Sequence, residues 1–302
     1  MNHTDDVRLL VILGPTASGK TELAVELARR INGAIISADS RQVYRGMDLG
    51  TGKDLNVYGD VPYYLIDIVA AGERYNVKRY REDVQHALGL INKQGKQPIL
   101  CGGTGLYIQS VLQGFNYSSV PVNPELRNTL ATLSLDALRE QLDQLPLPRG
   151  FMPDTSTAKR LVRAIEIASW CLHNPPPLPA STSIKATIFG LNPPVSIRRQ
   201  RITERLSQRL KAGLLEEVKH LLGSGIPAER LLYYGLEYKY ATQYLQGQLD
   251  YEVFLARLNT EIHRFAKRQM TYFRKMEKDG LNIHWLSGDT LESQCEEVFR
   301  IF

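Results

Sequence analysis

One stretch of eight residues constrains this chain more than any other feature, and it consists of Gly14, Pro15, Thr16, Ala17, Ser18, Gly19, Lys20 and Thr21. It fits the pattern G-x-x-x-x-G-K-[ST] of a phosphate-binding loop. An apolar run over residues 9–13 precedes it, as a buried strand would, and strong helix formers follow over residues 22–30. This order favours binding of a di- or polyphosphate, because backbone N–H groups and the helix dipole converge at the loop.

Two side chains of the phosphate loop could bind a phosphate and its metal ion. Lys20 brings a full positive charge to the phosphate oxygens, and the Thr21 hydroxyl is a candidate ligand for Mg²⁺. The loop leaves the reaction open, because kinases and many nucleotide hydrolases share the same pattern.

Alternation of strands and helices predicts the fold. Residues 33–37, 63–67, 98–101 and 186–191 predict strands, and residues 75–90 and 106–113 predict helices between them. We therefore expect an α/β protein with a parallel sheet core of the P-loop NTPase type and helices on both faces. If the second strand lies beside the first, Asp39 at its end lies near the phosphate loop. Residues 46–53 contain three glycines and predict a flexible loop.

The middle of the chain differs from both ends. Residues 116–184 predict short helices separated by prolines, such as those in the run 175–179. We therefore expect a first core segment over residues 1–115, a helical insertion over residues 116–184 and a second core segment over residues 185–302.

The second core segment predicts two long helices with basic stripes. Apolar residues recur at every fourth position and predict one continuous helix through Ile202, Leu206, Leu210, Leu214 and Val218. A neighbouring stripe of this helix carries Arg198, Arg201, Arg205 and Arg209. Residues 251–277 predict the other helix, with a basic side that suits a phosphate backbone. A solvated charged surface is the alternative for both stripes. The tail 282–302 predicts a short strand and a helix.

Composition excludes some classes of protein. The chain has 302 residues and a net charge of +5, which permits an anionic partner without requiring one. It has no apolar run of the ~18 residues needed to span a membrane, and residues 1–6 lack the pattern of a signal peptide. Cys101, Cys171 and Cys295 are too far apart for a metal motif. We expect a cytoplasmic protein without membrane contact, acting as a monomer.

Three further segments, together with the phosphate loop, resemble one family. They are residues 37–53 (SADSRQVYRGMDLGTGK), residues 102–107 (GGTGLY) and residues 266–274 (AKRQMTYFR). In this order and approximate spacing they resemble the tRNA dimethylallyltransferase family, also called tRNA isopentenyltransferase. The resemblance covers residues 7 to 287 and is to the bacterial type, since the C-terminal zinc-finger pattern of some eukaryotic members is missing.

The resemblance implies a prenyltransferase. The family moves a dimethylallyl group from dimethylallyl diphosphate to N6 of adenine 37 in tRNA and releases diphosphate, with Mg²⁺ as cofactor. It implies that Asp39 is the general base and that the catalytic residues are Asp39, Lys20, Thr16 and Arg201. Arg201 and Arg205 are expected beside the diphosphate, together with the loop of residues 14–21.

The resemblance also implies contacts with the tRNA anticodon arm. The target base must leave its stack to reach a buried diphosphate. Contacts with that base and its neighbours are expected from Asp39, Ser40, Arg41, Gln42 and Thr104. The arm itself is expected to meet Arg127, Lys159, Arg160, Leu161, Val162 and Arg163 of the insertion, and Lys267 and Arg268 of the last long helix. Ordinary surface charge is the alternative for the basic residues of the insertion.

The chain departs from the family pattern at one place. Many members have Gly-Tyr followed by a basic residue where this chain has Gly235, Leu236, Glu237 and Tyr238. The departure leaves the tRNA contacts of this segment open. Three rival functions also remain open: an adenylate isopentenyltransferase that prenylates free AMP, ADP or ATP, a P-loop small-molecule kinase with Asp67 as its acidic Mg²⁺ ligand, and a non-catalytic tRNA-binding protein.

Overall fold

The computed structural model describes residues 8–114, 116–148, 151, 153–177 and 184–302. Residues 1–7, which include the segment that argues against a signal peptide, lie outside this range, as do Phe115 at the expected domain boundary and residues 178 and 179 of the proline run. The chain divides into two compact units, one formed by Met1–Leu112 with Ile184–Phe302 and the other by Gln113–Ser183.

The larger unit contains a parallel sheet, to which the described residues contribute β1 (Leu9–Leu13), β2 (Gly33–Ser37), β3 (Tyr63–Tyr64), β4 (Gln97–Gly102), β5 (Ala186–Gly190) and β6 (Ile283–Trp285). The strands lie in the order β3-β2-β4-β1-β5-β6, and every neighbouring pair is parallel. All five residues of β1 are buried, as expected for a strand that is covered on both faces. The predicted fold class is therefore confirmed.

The order of the strands differs from the arrangement that was considered for Asp39. The second strand does not lie beside the first, because β4 pairs with both β1 and β2 and separates them. Asp39 nevertheless lies near the phosphate loop, since β1, β4 and β2 all end at the same edge of the sheet. The turn after β4 is tied to this edge: the N–H of Thr104 donates to the carbonyl of Ala38 at 3.1 Å.

Helices follow in chain order as α1 (Lys20–Arg30), α2 (Val77–Lys93), α3 (Gly105–Gln109), α4 (Pro124–Leu130), α5 (Leu135–Asp143), α6 (Ala158–Cys171), α7 (Val195–Lys211), α8 (Leu214–Gly223), α9 (Ala228–Leu231), α10 (Leu236–Leu245), α11 (Tyr251–Lys278) and α12 (Leu291–Ile301). A π-helical turn follows α3 at Ser110–Gly114. One face of the sheet packs on α2, α3 and α11, and the opposite face packs on α1 and α12. The described residues contain no helix that is both long and apolar enough to cross a membrane.

The predicted continuous helix through Val218 is wrong. Gly213 adopts a φ of 105°, in the left-handed region that favours glycine, and ends the run of helix between Lys211 and Leu214. The resulting helices α7 and α8 pack with α10 and α11 into a separate apolar cluster. The segment that departs from the family pattern forms the start of a helix, because α10 begins directly after Gly235.

The smaller unit, formed by residues 113–183, contains α4, α5 and α6. Asn123 and Ser134 cap α4 and α5 by accepting hydrogen bonds from backbone N–H groups of the first turns. The three helices pack around an apolar core formed by Leu130, Leu138, Leu142, Leu161, Ala164 and Ile165. This unit corresponds to the expected insertion, whose contact with tRNA stays a prediction.

Candidate active site

The phosphate loop joins β1 to α1 through a tight turn. Ala17 and Gly19 have φ values of 61° and 89°, so both are in the left-handed region. Gly14 has no room for a side chain, because a Cβ there would lie 2.6 Å from Ser18 Oγ and 2.9 Å from the carbonyl oxygen of Leu191. The loop leads into the first turn of α1, whose N–H groups have no carbonyl partners within the helix. This arrangement suits an anion.

Positive charge collects beside this loop. The ammonium of Lys20 donates to the carbonyl of Pro15 at 3.3 Å, and burial lowers the pKa of Lys20. The guanidinium of Arg205 donates to the Thr16 hydroxyl. Burial lowers the pKa of Arg205 to about 10, and neighbouring Arg209 acts in the same direction. Cations that are costly to bury favour an anionic ligand, because its charge offsets their desolvation.

A cavity of about 540 Å³ opens next to the loop. Ten of the predicted site residues line it: Thr16, Lys20, Thr21, Asp39, Ser40, Arg41, Gln42, Thr104, Arg205 and Arg268. The structure thus brings the phosphate loop, the segment after β2 and the glycine turn after β4 to one space, as the motifs predicted from widely separated positions.

The segment after β2 is held in a defined conformation at the cavity wall. One oxygen of the Asp39 carboxylate accepts the N–H of Arg41 at 2.9 Å, and the N–H of Ser40 donates to the Thr104 hydroxyl at 3.1 Å. The Gln42 amide donates to the carbonyl of Gly52 at 3.0 Å. These bonds fix the Asp39 carboxylate on the same cavity wall as Thr104.

Gln269 is a site residue that the sequence reasoning missed. Its Oε1 accepts the N–H of Thr16 at 2.8 Å, and its Nε2 donates to the carbonyl of Gly103 at 2.9 Å. The side chain therefore ties the phosphate loop to the glycine turn. Its signal in the sequence is a polar residue among the buried positions of α11, next to Met270 and one turn before Phe273.

Arg209 and Glu237 also line the cavity and were not predicted to do so. Arg209 lies against Gly52, where it leaves no room for a side chain, and its guanidinium is 3.7 Å from the Asp54 carboxylate. Burial raises the pKa of Glu237, and Arg209 opposes this shift. Arg209 has a sequence signal, because it follows Arg205 by one helical turn. Glu237 has no such signal in the sequence, because its place at the cavity depends on tertiary packing.

Some predicted residues lie elsewhere. Arg201 is exposed on α7, where its guanidinium lies 4.0 Å from the position that a Cβ on Gly19 would take, and it is not among the residues that line the cavity. Lys267 is exposed on α11. Arg201 is thus close to the phosphate loop from outside the cavity, and its contact with the diphosphate stays a prediction.

The predicted tRNA contacts of the insertion differ among themselves. Lys159 and Arg160 are exposed, and Arg160 pairs with Asp154 at 2.8 Å. Leu161 is fully buried in the core of the insertion, and Val162 packs against that core. The side chain of Leu161 is therefore a packing residue rather than an accessible contact.

Arg127 and Arg163 have a structural partner. Both guanidinium groups bind the carboxylate of Glu166, whose side chain is only 1% exposed. The same carboxylate accepts the N–H of Asn123 at 2.7 Å. Burial alone would raise the pKa of Glu166, but the hydrogen bonds from Arg127, Asn123 and Arg163 lower it below its usual value. A contact of either arginine with tRNA would have to coexist with this buried ion pair.

Asp67, the acidic residue considered for a kinase, lies outside the cavity lining. It pairs with Lys53, whose side chain is 1% exposed and whose ammonium also donates to the carbonyl of Tyr44 at 2.7 Å. Cys101 lines the cavity, but burial raises the pKa of its thiol to about 12, so it is protonated at neutral pH and a poor nucleophile.

Mg²⁺ fits the donors that line this cavity. The Thr21 hydroxyl shares the cavity with the carboxylates of Asp39 and Asp54, and the buried Ser18 hydroxyl has no hydrogen-bond partner among the described residues. Within those residues, no group of three or more His, Cys, Asp or Glu side chains could hold a metal ion by itself. Mg²⁺ commonly takes only one or two protein ligands and fills its shell with substrate phosphates and water. The donor set therefore suits an ion that binds together with a diphosphate.

Comparison with known proteins assigns the chain to a family. The family described as IPP transferase matches residues 42–276. A tRNA dimethylallyltransferase 2 of Porphyromonas gingivalis is 50% identical over 97% of this chain and 99% of its own length. A tRNA dimethylallyltransferase 1 of Geotalea daltonii is 50% identical over 93% and 91%.

Solved structures agree with this assignment. The crystal structure of a tRNA isopentenylpyrophosphate transferase from Bacillus halodurans superposes with a TM-score of 0.72 at 30% identity, covering 98% of this chain and 95% of that one. A eukaryotic dimethylallyltransferase acting on tRNA shares the fold, with a TM-score of 0.73 at 22% identity over 93% and 74% of the two chains. The chain belongs to the IPP transferase family.

Proposed function

We propose that the protein transfers a dimethylallyl group from dimethylallyl diphosphate to N6 of adenine 37 in tRNA and releases diphosphate. The observation that carries this proposal is that Lys20, Arg205 and Asp39 all line one cavity. Cations for a leaving group and a carboxylate for a nucleophile are the two requirements of this substitution. The relatives named tRNA dimethylallyltransferase support it.

The phosphate loop would bind the leaving group. The bond between C1 of the allyl group and the bridging oxygen breaks, and its electron pair leaves with the diphosphate. Lys20 and Arg205 would stabilise the negative charge that develops on these oxygens. Thr21 would help to hold Mg²⁺, which when bound supplies further positive charge to the diphosphate.

Asp39 would act on the nucleophile. The exocyclic amine of adenine is weakly nucleophilic, because its lone pair is delocalised into the ring. As N6 forms its bond to C1, the carboxylate of Asp39 would orient the amine and accept the proton that it loses. The hydrogen bond from the N–H of Arg41 to the Asp39 carboxylate supports this role, because it holds the base in one orientation.

Exposed aromatic rings at the cavity would receive the tRNA. Tyr233 is 64% exposed, with the Arg41 guanidinium 5.7 Å from its ring centroid. Phe265 is 41% exposed and has Arg268 at 6.0 Å. Aromatic rings and guanidinium planes stack on unpaired bases, so both pairs suit nucleotides beside a flipped adenine. A tRNA substrate also suits the expected cytoplasmic location.

One transfer assay separates this proposal from its rivals. The protein is incubated with Mg²⁺, radiolabelled dimethylallyl diphosphate and either unmodified tRNA or AMP. We expect label in tRNA. Label in AMP alone would favour the adenylate isopentenyltransferase, ATP turnover without transfer would favour the kinase, and tRNA binding without either reaction would favour the non-catalytic protein.

Asp39→Asn tests the role of the general base. The substitution keeps the size of the side chain but removes the proton acceptor, so we expect kcat to fall by about 10²–10⁴-fold, with tRNA affinity changed much less. Asp60→Asn is the matched control, because it makes the same change at a carboxylate that is 88% exposed and does not line the cavity, and it should retain most of the turnover. Equal losses in kcat and affinity for Asp39→Asn would point to a binding role instead.

A further inference from the structure

One carboxylate on α8 holds the loop that follows Met47. Glu217 Oε2 accepts the N–H groups of Asp48 and Leu49 at 2.9 and 2.8 Å, and its Oε1 accepts the N–H of Gly50 at 3.1 Å. The Tyr238 hydroxyl donates to the same Oε1 at 2.6 Å. A single ionised side chain thus satisfies three consecutive backbone donors, and hydrogen bonds to a charged acceptor are roughly twice as strong as neutral ones.

Other contacts also fix the loop. The ammonium of Lys53 donates to the Asp48 carboxylate at 2.5 Å, and the N–H of Gly52 donates to the carbonyl of Asp48 at 2.9 Å. Gly50 packs so closely on the Tyr238 ring that a Cβ there would overlap it. The flexible loop expected from the glycines is therefore a constrained one, and Glu217 supplies three of its anchoring bonds.

The constrained loop borders the cavity through Gly50, Thr51 and Gly52. The carbonyl of Gly52 accepts the Gln42 amide at 3.0 Å, and Gln42 Oε1 accepts the Ser37 hydroxyl at 3.0 Å. These two bonds determine which end of the Gln42 amide carries the donor and which the acceptor. A displacement of Gly52 would release one of them.

We propose that Glu217 is a positioning residue for the transfer reaction, which fixes the loop of residues 48–52 and thereby the orientation of the Gln42 amide. This inference rests on the proposed function and on the expectation, from the family resemblance, that Gln42 contacts the flipped adenine or its neighbours. A glutamine amide can pair with the edge of adenine only in one orientation. Glu217 itself acts from α8, without contact to the substrate.

A double-mutant cycle tests the coupling between the two residues. Glu217→Gln preserves the size of the side chain but removes its charge and one acceptor oxygen. We expect kcat/KM for tRNA to fall about tenfold, whereas Glu216→Gln, at the exposed neighbouring position of α8, should stay within about twofold. In a Gln42→Ala background, the loss caused by Glu217→Gln should shrink below about threefold. An equal loss in both backgrounds overturns the proposal, since general destabilisation would act regardless of Gln42.

Amide hydrogen exchange tests the anchoring without any substrate. In the full-length protein, the N–H groups of residues 48–50 should exchange about tenfold faster in Glu217→Gln than in Glu216→Gln. Tyr238→Phe keeps the carboxylate and should give a smaller increase at the same amides, which preserves the test if Glu217→Gln folds poorly. Unchanged exchange in both variants overturns the anchoring. If the wild-type protein does not prenylate tRNA, the proposed function and the catalytic part of this proposal are both wrong. The exchange data still decide in that case whether Glu217 holds the loop.

Discussion

Gln269 offers a sharp test of the candidate site, because it joins two cavity segments through one side chain. Gln269→Leu keeps a similar volume on α11 and removes both hydrogen bonds, to the N–H of Thr16 and to the carbonyl of Gly103. A hydrogen bond contributes about 0.5–1.5 kcal/mol net, and a buried polar group left without a partner costs about 1–3 kcal/mol.

The expected loss follows from these magnitudes. Thr16 and Gly103 both border the cavity, so water can partly replace the lost hydrogen-bond partners. We therefore take about 2 kcal/mol as the loss of transition-state stabilisation. Because 1.4 kcal/mol corresponds to tenfold, this predicts a decrease of about 30-fold in kcat/KM for dimethylallyl diphosphate. The Thr16 hydroxyl also accepts a hydrogen bond from Arg205. Movement of Thr16 would therefore disturb the cation that faces the leaving group.

Steady-state transfer kinetics, with thermal unfolding in parallel, measure this effect. Thr271→Ala is the matched control on the same helix, because Thr271 is exposed and its hydroxyl donates to the carbonyl of Lys267 in the preceding turn, at 3.1 Å. Gln269→Glu should reduce kcat/KM more than Gln269→Leu, since it turns an oxygen toward the Gly103 carbonyl and adds negative charge beside the phosphate loop. Transfer kinetics for Gln269→Leu within about twofold of wild type would refute the reasoning. A smaller loss for Gln269→Glu would refute its electrostatic part.

Three further substitutions test other parts of the molecule. Burial lowers the pKa of Lys20, so the affinity for diphosphate, measured by calorimetry, should fall as the pH rises toward the usual pKa of a lysine. Lys20→Met should bind diphosphate at least about tenfold more weakly at neutral pH and lose most of this pH dependence. Tyr233→Ala should raise the Kd for tRNA in filter binding by about 5–150-fold, from about 1–3 kcal/mol per stacked base, and Tyr233→Phe should restore it. Glu166→Gln should lower the free energy of unfolding in urea by about 2 kcal/mol, below the 3–5 kcal/mol of a fully buried pair, because Arg127 and Arg163 are partly exposed. The pKa of Glu166 is lower in the folded than in the unfolded protein. Its contribution to stability is therefore present above the unfolded-state pKa and disappears as the pH falls through the folded-state pKa. A difference in the free energy of unfolding between Glu166→Gln and wild type that stays constant down to low pH would contradict this.

Local signals in the sequence were sufficient for much of the fold. Most strands of the sheet are short apolar runs, and α11 was predicted within one residue of its end at Lys278. The order of strands could not be predicted in this way, because the insertion of β4 between β1 and β2 is a long-range pairing. The break at Gly213 had a local signal, but the apolar repeat continues across it and suggested one helix.

The same distinction between local and long-range signals applies to the site residues. Residues in the motif segments, such as Lys20, Asp39 and Thr104, were found because each motif has a characteristic local sequence. Gln269 lies inside a recognised segment, yet its function depends on two backbone groups more than 160 positions away. Glu217 has the appearance of an ordinary helix-surface charge, and its role exists only because Gly213 turns α8 toward the loop after Met47. Residues that hold other residues in place have no motif of their own.

The reaction that the phosphate loop supports depends on the side chains that share its cavity. A loop of this kind can hold a phosphate that is transferred or a diphosphate that departs, and Lys20 serves either reaction equally well. A kinase would need an acidic metal ligand near the loop, but Asp67 is bound to the buried Lys53 and lies outside the cavity lining. Asp39, one of the carboxylates that line the cavity, is held by the N–H of Arg41 in the segment that we propose to contact the flipped base. Placed there, it can accept a proton from an amine that attacks carbon, and in the proposed reaction the bond that breaks is therefore the one between C1 and the diphosphate oxygen.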